Sequence, residues 1–254
     1  MKNKFLVGLT IGFLMFGVAN VASAVPIYWT DWTQGSTASG FTGTGSITTP
    51  TSTVGVTYTN PLGIGFFQDS GGIDYWQNGH SGRNDAISPY TSSFVDNSPT
   101  GTDIVALRYA GTQTLTFSET IANPVFSYVS LNGNGYGFIN QDFEILSYGG
   151  LDGNAQGYWG SGTSYKNVVD LGGGNFEYQL LGTGEPHGTI RFTGAFDTVS
   201  WNSLSNEYWN GFTVGIQGTS EEIFDTPIPE PATMLLLGSG LIGLVGFRRK
   251  KLTK

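Results

Sequence analysis

Val54-Gly55-Val56-Thr57-Tyr58 carries apolar side chains at 54, 56 and 58 and small or polar ones between them. Successive side chains of an extended chain point to opposite faces, so this alternation marks a half-buried β-strand. The same period recurs outward along the chain. It appears in Val105/Leu107/Tyr109, Leu115/Phe117, Phe143/Ile145 and Phe176/Tyr178/Leu180, then in Ile190/Phe192, Val199/Trp201 and Phe212/Val214/Ile216. From Val125 to Leu131 both faces are apolar, with Val125, Val129 and Leu131 on one and Phe126 and Tyr128 on the other. Turn-forming stretches separate these runs: Asn60-Pro61, Gly71-Gly72, Asn123-Pro124, Asn132-Gly133-Asn134-Gly135 and Gly172-Gly173-Gly174. No internal stretch repeats with a helical period. Many short strands with frequent turns predict an all-β domain, an antiparallel β-sandwich of jelly-roll or lectin-like type, over residues 25–216. The Thr/Ser/Gly-rich stretch 33–53 reads as an edge or arm, and 217–228 as an acidic linker.

Composition narrows the chemistry. Cysteine is absent from the 254 residues, which excludes disulfides, thiolate metal sites and a cysteine nucleophile. The formal net charge is −8, and it is unevenly distributed. Seven of the eleven cations lie at the two ends, leaving Arg83, Arg108, Lys166 and Arg191 against nineteen acids. Such a body repels nucleic acid, so no nucleic-acid partner is expected.

The ends read as addresses. Lys2 and Lys4 precede an apolar run from Phe5 to Ala19, and Ala22-Ser23-Ala24 forms a small-residue cleavage site. Residues 1–24 are thus expected to be a signal peptide, handled by the secretion machinery and cut by signal peptidase after Ala24. At the other end, Pro229-Glu230-Pro231 precedes the uncharged run 232–247 and the basic tail 248–254, which begins Arg248-Arg249. As a helix this run spans ~24 Å, short of a ~30 Å hydrocarbon core, and snorkelling cations close the gap. A single transmembrane helix over 232–247 with its cations in the cytoplasm places residues 25–228 across the membrane.

This tail resembles that of the PEP-CTERM proteins of Gram-negative bacteria, whose signature is Pro-Glu-Pro, a short hydrophobic helix and an arginine-rich end. The resemblance implies recognition and cleavage by an exosortase after an inner-membrane-anchored intermediate, with delivery to the cell surface or extracellular matrix. It rests on Pro229, Glu230, Pro231, Arg248 and Arg249. The central region also resembles an ectodomain found in PEP-CTERM surface proteins. The pieces that carry this are Leu115-Thr116-Phe117-Ser118, Asn123-Pro124-Val125-Phe126, Gly188 to Gly194 and Glu207 to Gly215. That resemblance implies a surface domain and supplies no catalytic residues.

Several constellations bear on function. Gly238-Ser239-Gly240-Leu241-Ile242-Gly243 matches a dinucleotide fingerprint in letters but lies inside the apolar run, not between a strand and a helix. His80-Ser81 lacks the G-x-S-x-G elbow, and His187 stands alone in another turn, so both read as loop histidines. Asp142 and Glu144 are spaced to share a strand face, the arrangement a glycan-active hydrolase would use. Asp69, Asp74 and Asp152 lie in glycine turns with hard oxygen ligands, suited to a structural calcium ion. Aromatics in polar loops, Trp76, Tyr136, Tyr158 and Trp159, suit stacking on sugar faces.

The expectation is a non-catalytic exported protein without a required cofactor, associating with extracellular polysaccharide. The alternatives are a purely structural surface protein and the hydrolase on Asp142 and Glu144.

Overall fold

The structure, a computed structural model, describes residues 24–149 and 156–224. The expected signal peptide up to Ser23, Asp152, and the sorting motif with its apolar run and basic tail lie outside the described residues. Among the described residues no helix is long and apolar enough to cross a membrane.

Strands dominate, in the order β1 (Tyr28–Trp29), β2 (Asp31–Ser36), β3 (Phe41–Thr48), β4 (Thr53–Asn60), β5 (Phe66–Gln68) and β6 (Ile104–Leu107). There follow β7 (Gly111–Ala122), β8 (Val125–Val129), β9 (Tyr136–Ile139), β10 (Glu144–Tyr148) and β11 (Gly162–Gly172). The series closes with β12 (Asn175–Gly184), β13 (Gly188–Arg191), β14 (Ala195–Ser203), β15 (Asn210–Ile216), β16 (Gly218–Thr219) and a short helix α1 (Ser220–Phe224).

The strands form two antiparallel sheets. One runs β10-β13-β8-β15-β6-β5, with β1 beside β15; the other runs β11-β12-β9-β14-β7-β4-β3-β2, with β16 beside β7. The pairings nest. β6 pairs β15, β7 pairs β14, β8 pairs β13 and β9 pairs β12. A long antiparallel ribbon has therefore been rolled up, and the pairs β15–β8 and β14–β9 close the roll. This is the strand order of a jelly roll. It also explains why almost every turn from β6 onward crosses between sheets.

The inward faces are aromatic. Trp201 of β14 lies 5.5 Å from the Phe126 ring and 5.1 Å from the Phe212 ring of the facing sheet, both edge-on. Tyr58 reaches Phe212 at 5.3 Å, and Phe138 meets Phe192 at 4.8 Å. Edge-to-face pairs at these separations add to the ~1.5–3 kcal/mol that full burial of each large apolar side chain supplies. The alternation read from the sequence thus has a physical counterpart: Val54, Val56, Tyr58, Leu115, Phe117, Val199 and Trp201 all face this core.

The smaller sheet is covered on its other face as well. Ile104, Val125 and Val129 pack outward, covered at one end by Trp76 and Tyr90 of the 69–103 segment and at the other by Val95 of that segment together with Trp29 of β1. Polar residues on that face are hydrogen-bonded in the interior. Ser127 Oγ and Thr189 Oγ1 lie 2.9 Å apart, and Thr189 Oγ1 donates to the Tyr90 carbonyl at 2.9 Å. Arg83 pins the covering segment, with Nε 2.6 Å from Asp74 Oδ2 and further bonds to the carbonyls of Pro99 and Gly101.

Backbone geometry explains some turns. Asn123 holds a φ of 48°, a conformation asparagine tolerates, and exchanges bonds with Gly194: its N–H donates at 2.8 Å and its Oδ1 accepts at 2.9 Å. Gly188 has a φ of 148°, and a Cβ there would fall 2.1 Å from the Ser147 carbonyl oxygen, so only glycine fits between β10 and β8.

Of two expectations from the sequence one is met and one moves: the stretch 33–53 is a sheet edge, and the linker is ordered at its start. Residues 33–53 form the paired strands β2 and β3 at one edge of the larger sheet, with Phe41 and Ile47 buried. The expected linker 217–228 is ordered at its start: β16 pairs β7, and α1 holds Glu222, which accepts from Thr49 Oγ1 at 2.6 Å and from the Thr219 N–H at 2.7 Å. The domain therefore extends to Phe224, because Glu222 finds donors on it.

Truncating Trp201 to alanine removes the ring that bridges both sheets. The expected cost is ~3–5 kcal/mol, measured by denaturant unfolding, and a cost under ~1 kcal/mol contradicts this placement.

Candidate functional site

The loop aromatics part company. Trp76 is fully buried: its Nε1 donates to the Asp103 carbonyl at 3.1 Å and its ring meets Tyr90 at 5.2 Å. Tyr136 is fully buried too, as the first residue of β9, with its hydroxyl donating to Asn210 Oδ1 at 2.5 Å. Neither can touch a glycan at the surface, and both leave the candidate site. Their polar neighbours in sequence suggested loop exposure, but the rings turn inward where apolar sheet surface awaits them.

Tyr158 and Trp159 remain, and the fold brings three unforeseen rings to them. Tyr75 meets Tyr158 at 5.0 Å and Trp209 at 5.0 Å. Trp159 lies 4.8 Å from Tyr158, 6.4 Å from Tyr75 and 6.3 Å from Trp209. His80 stacks edge-on against Tyr158 at 4.4 Å. Three chain segments therefore converge on one aromatic patch, those of Tyr75 and His80, of Tyr158 and Trp159, and of Trp209. Tyr75, 8% exposed, is its floor; Trp159, 48% exposed, is its open ring. The Gln156 side chain lies against Gly79 at its margin. In the sequence Tyr75 sits beside Trp76, which is sealed off from the patch, and Trp209 beside Tyr208, which is 83% exposed. In an irregular segment no period says which of two adjacent rings faces out.

The two histidines do different things. His80 is exposed in the patch, whereas His187 is 1% exposed. Its Nδ1 lies 2.7 Å from the Glu185 carbonyl, which assigns the proton to Nδ1. A Cβ on Gly149 or Gly157 would fall 2.7 Å or 2.6 Å from the ring, so both glycines are needed to seat it. Nε2 is buried and has no hydrogen-bond partner.

Asp142 and Glu144 do not share a strand face as expected, because β10 begins only at Glu144. They border an open cleft of about 400 Å³ with Gln141, Phe143 and Thr193. Asp142 Oδ1 lies 2.8 Å from Lys166 Nζ, and Glu144 Oε2 lies 2.6 Å from Arg191 Nη2. Glycoside hydrolysis needs one carboxyl as acid and the other as base or nucleophile across a substrate. Here each is committed to a separate cation.

For calcium, Asp74 is engaged elsewhere: both its oxygens bond the Arg83 guanidinium, at 2.6 and 2.8 Å, and Oδ1 also accepts from the Trp76 N–H. Asp69 is bonded only weakly to Ser70, at 3.5 Å. Among the described residues no three His, Asp or Glu side chains gather where they could hold a metal ion.

Burial holds His187 below its ordinary value of 6.5, because a charged imidazolium would lose its water. The unfolded chain takes up a proton near pH 6.5 and the folded chain resists it, so this residue's stabilising contribution is present above that pH and is lost as the pH falls below it. Between pH 7.5 and 5.5 the wild-type melting temperature should fall more than that of His187→Gln. Parallel pH profiles contradict this.

A family model for the PEP-CTERM protein-sorting motif matches residues 227–250, which include Pro229, Glu230, Pro231, Arg248 and Arg249. No curated protein and no solved structure matches the chain. The motif implies processing by an exosortase, export and a place at the cell surface. The body is mostly β and antiparallel, and the chain carries a PEP-CTERM protein-sorting motif after it.

Proposed function

We propose that the chain is a non-catalytic surface protein whose β-sandwich associates with extracellular polysaccharide through the patch of Tyr75, Tyr158, Trp159 and Trp209. The carrying observation is the convergence of these rings, with Trp159 open to solvent among them. A flat aromatic face matches the apolar C–H face of a sugar ring, while nearby amides bond its hydroxyls. His80 and Gln156 lie at the margin for that purpose. The excess of acids over cations favours a neutral glycan over an anionic one, which the body repels.

The non-catalytic reading draws support from the separate ion pairs of Asp142 and Glu144. In the proposed life history the leader is cut after Ala24. The apolar run 232–247 then holds the chain in the inner membrane until the exosortase acts, and the domain reaches the extracellular matrix. No structural calcium is required in this account.

Binding of the exported chain to an array of neutral oligosaccharides tests the glycan reading. Trp159→Ala should weaken binding about tenfold, ~1.4 kcal/mol. No binding, or binding indifferent to Trp159→Ala, overturns the patch and leaves a purely structural surface protein. Turnover of an oligosaccharide that Glu144→Gln abolishes would instead establish the hydrolase.

A further inference from the structure

β11 is the last strand of the larger sheet and pairs only with β12. Among the described residues its other edge has no strand partner. The strand is 11 residues long, contains no proline and exposes apolar side chains on both faces: Tyr165 at 49%, Val168 at 48% and Leu171 at 52%. Natural sheets usually blunt an edge with short strands, proline or charge, because a long free edge is a template for another strand. Here the only charges are Lys166 and Asp170, of opposite sign and equally far from Val168.

We propose that β11 pairs antiparallel with β11 of a second copy of this chain, in the register that sets Val168 against Val168. This proposal is independent of the glycan reading. In that register Lys166 stands opposite Asp170 of the partner subunit, and Asp170 opposite Lys166 of the partner subunit. On the other face Asn167 meets Val169 of the partner subunit, while Leu171 lies at a bulge where the β11–β12 register shifts and stands outside the regular ladder. Opposite charges and apolar pairs directly across an antiparallel ladder stabilise it.

The neighbouring two-fold registers do worse. A centre on Lys166 or Asp170 opposes like charges. A centre on Asn167 or Val169 sets both charges against uncharged residues. The charges therefore select one register while discouraging open-ended stacking. Lys166 remains available for this role: its ammonium has three donors, of which one bonds Asp142 Oδ1 at 2.8 Å and one the Phe143 carbonyl at 3.0 Å. A two-fold contact of this kind closes on itself.

The natural chain has no cysteine, so a single introduced thiol reports cleanly. Directly opposed residues of an antiparallel pair have Cα atoms ~4.5–5.5 Å apart, within the ~4.4–6.8 Å a disulfide spans. Exported full chain carrying Val168→Cys, treated with diamide, should run at twice its mass on a non-reducing gel. Tyr208→Cys, at the 83%-exposed position, should not. Adding Asp170→Lys to Val168→Cys should cut cross-linking at least fivefold, and the further change Lys166→Asp should restore it. Cross-linking of Val168→Cys no faster than that of Tyr208→Cys overturns the proposal. So does cross-linking that ignores the charge reversal, which would mean that another register or occupant holds the edge.

Discussion

The structure depends on the contact of Trp201 with Phe126 and Phe212 across the two sheets. A chain this rich in glycine and poor in charge has few side chains large enough to fill the space between sheets. Those it has are concentrated on the inward faces, where Tyr58, Tyr136, Phe138 and Phe192 surround the same centre. Without disulfides, this aromatic layer and the nested strand ladder hold the roll closed.

The sandwich was legible because alternation survives wherever a strand has one wet face. Val54 to Tyr58 and Val199 to Trp201 put the same residues inward in sequence and in structure. The segment around Val125 was legible as two-faced, and the reason is the 69–103 segment that covers the outer face of the smaller sheet. Strand order was not legible, since it depends on pairings such as β6 with β15, about a hundred residues apart. The ordered start of the expected linker was not legible either, because it depends on Glu222 reaching Thr49 across the fold.

The aromatic patch shows where sequence reasoning runs out. Trp76 and Trp159 both sit among glycine, glutamine and tyrosine. One lies over the buried outer face of the smaller sheet and is sealed; the other is held at the rim by Tyr158 and stays open. Local composition cannot separate them, because the difference is the distance of each from apolar sheet surface. The sorting motif is the opposite case: its parts are contiguous, so its meaning is local and readable from the chain alone.

Oxidative footprinting of the exported chain, with and without neutral polysaccharide, tests the central claim most directly, because the six tryptophans report on core and surface together. The account predicts rapid modification of Trp159, little at Trp76 and Trp201, and protection of Trp159 when the polysaccharide is added. Modification of Trp76 or Trp201 as fast as Trp159, or a Trp159 that the polysaccharide does not protect, would contradict it.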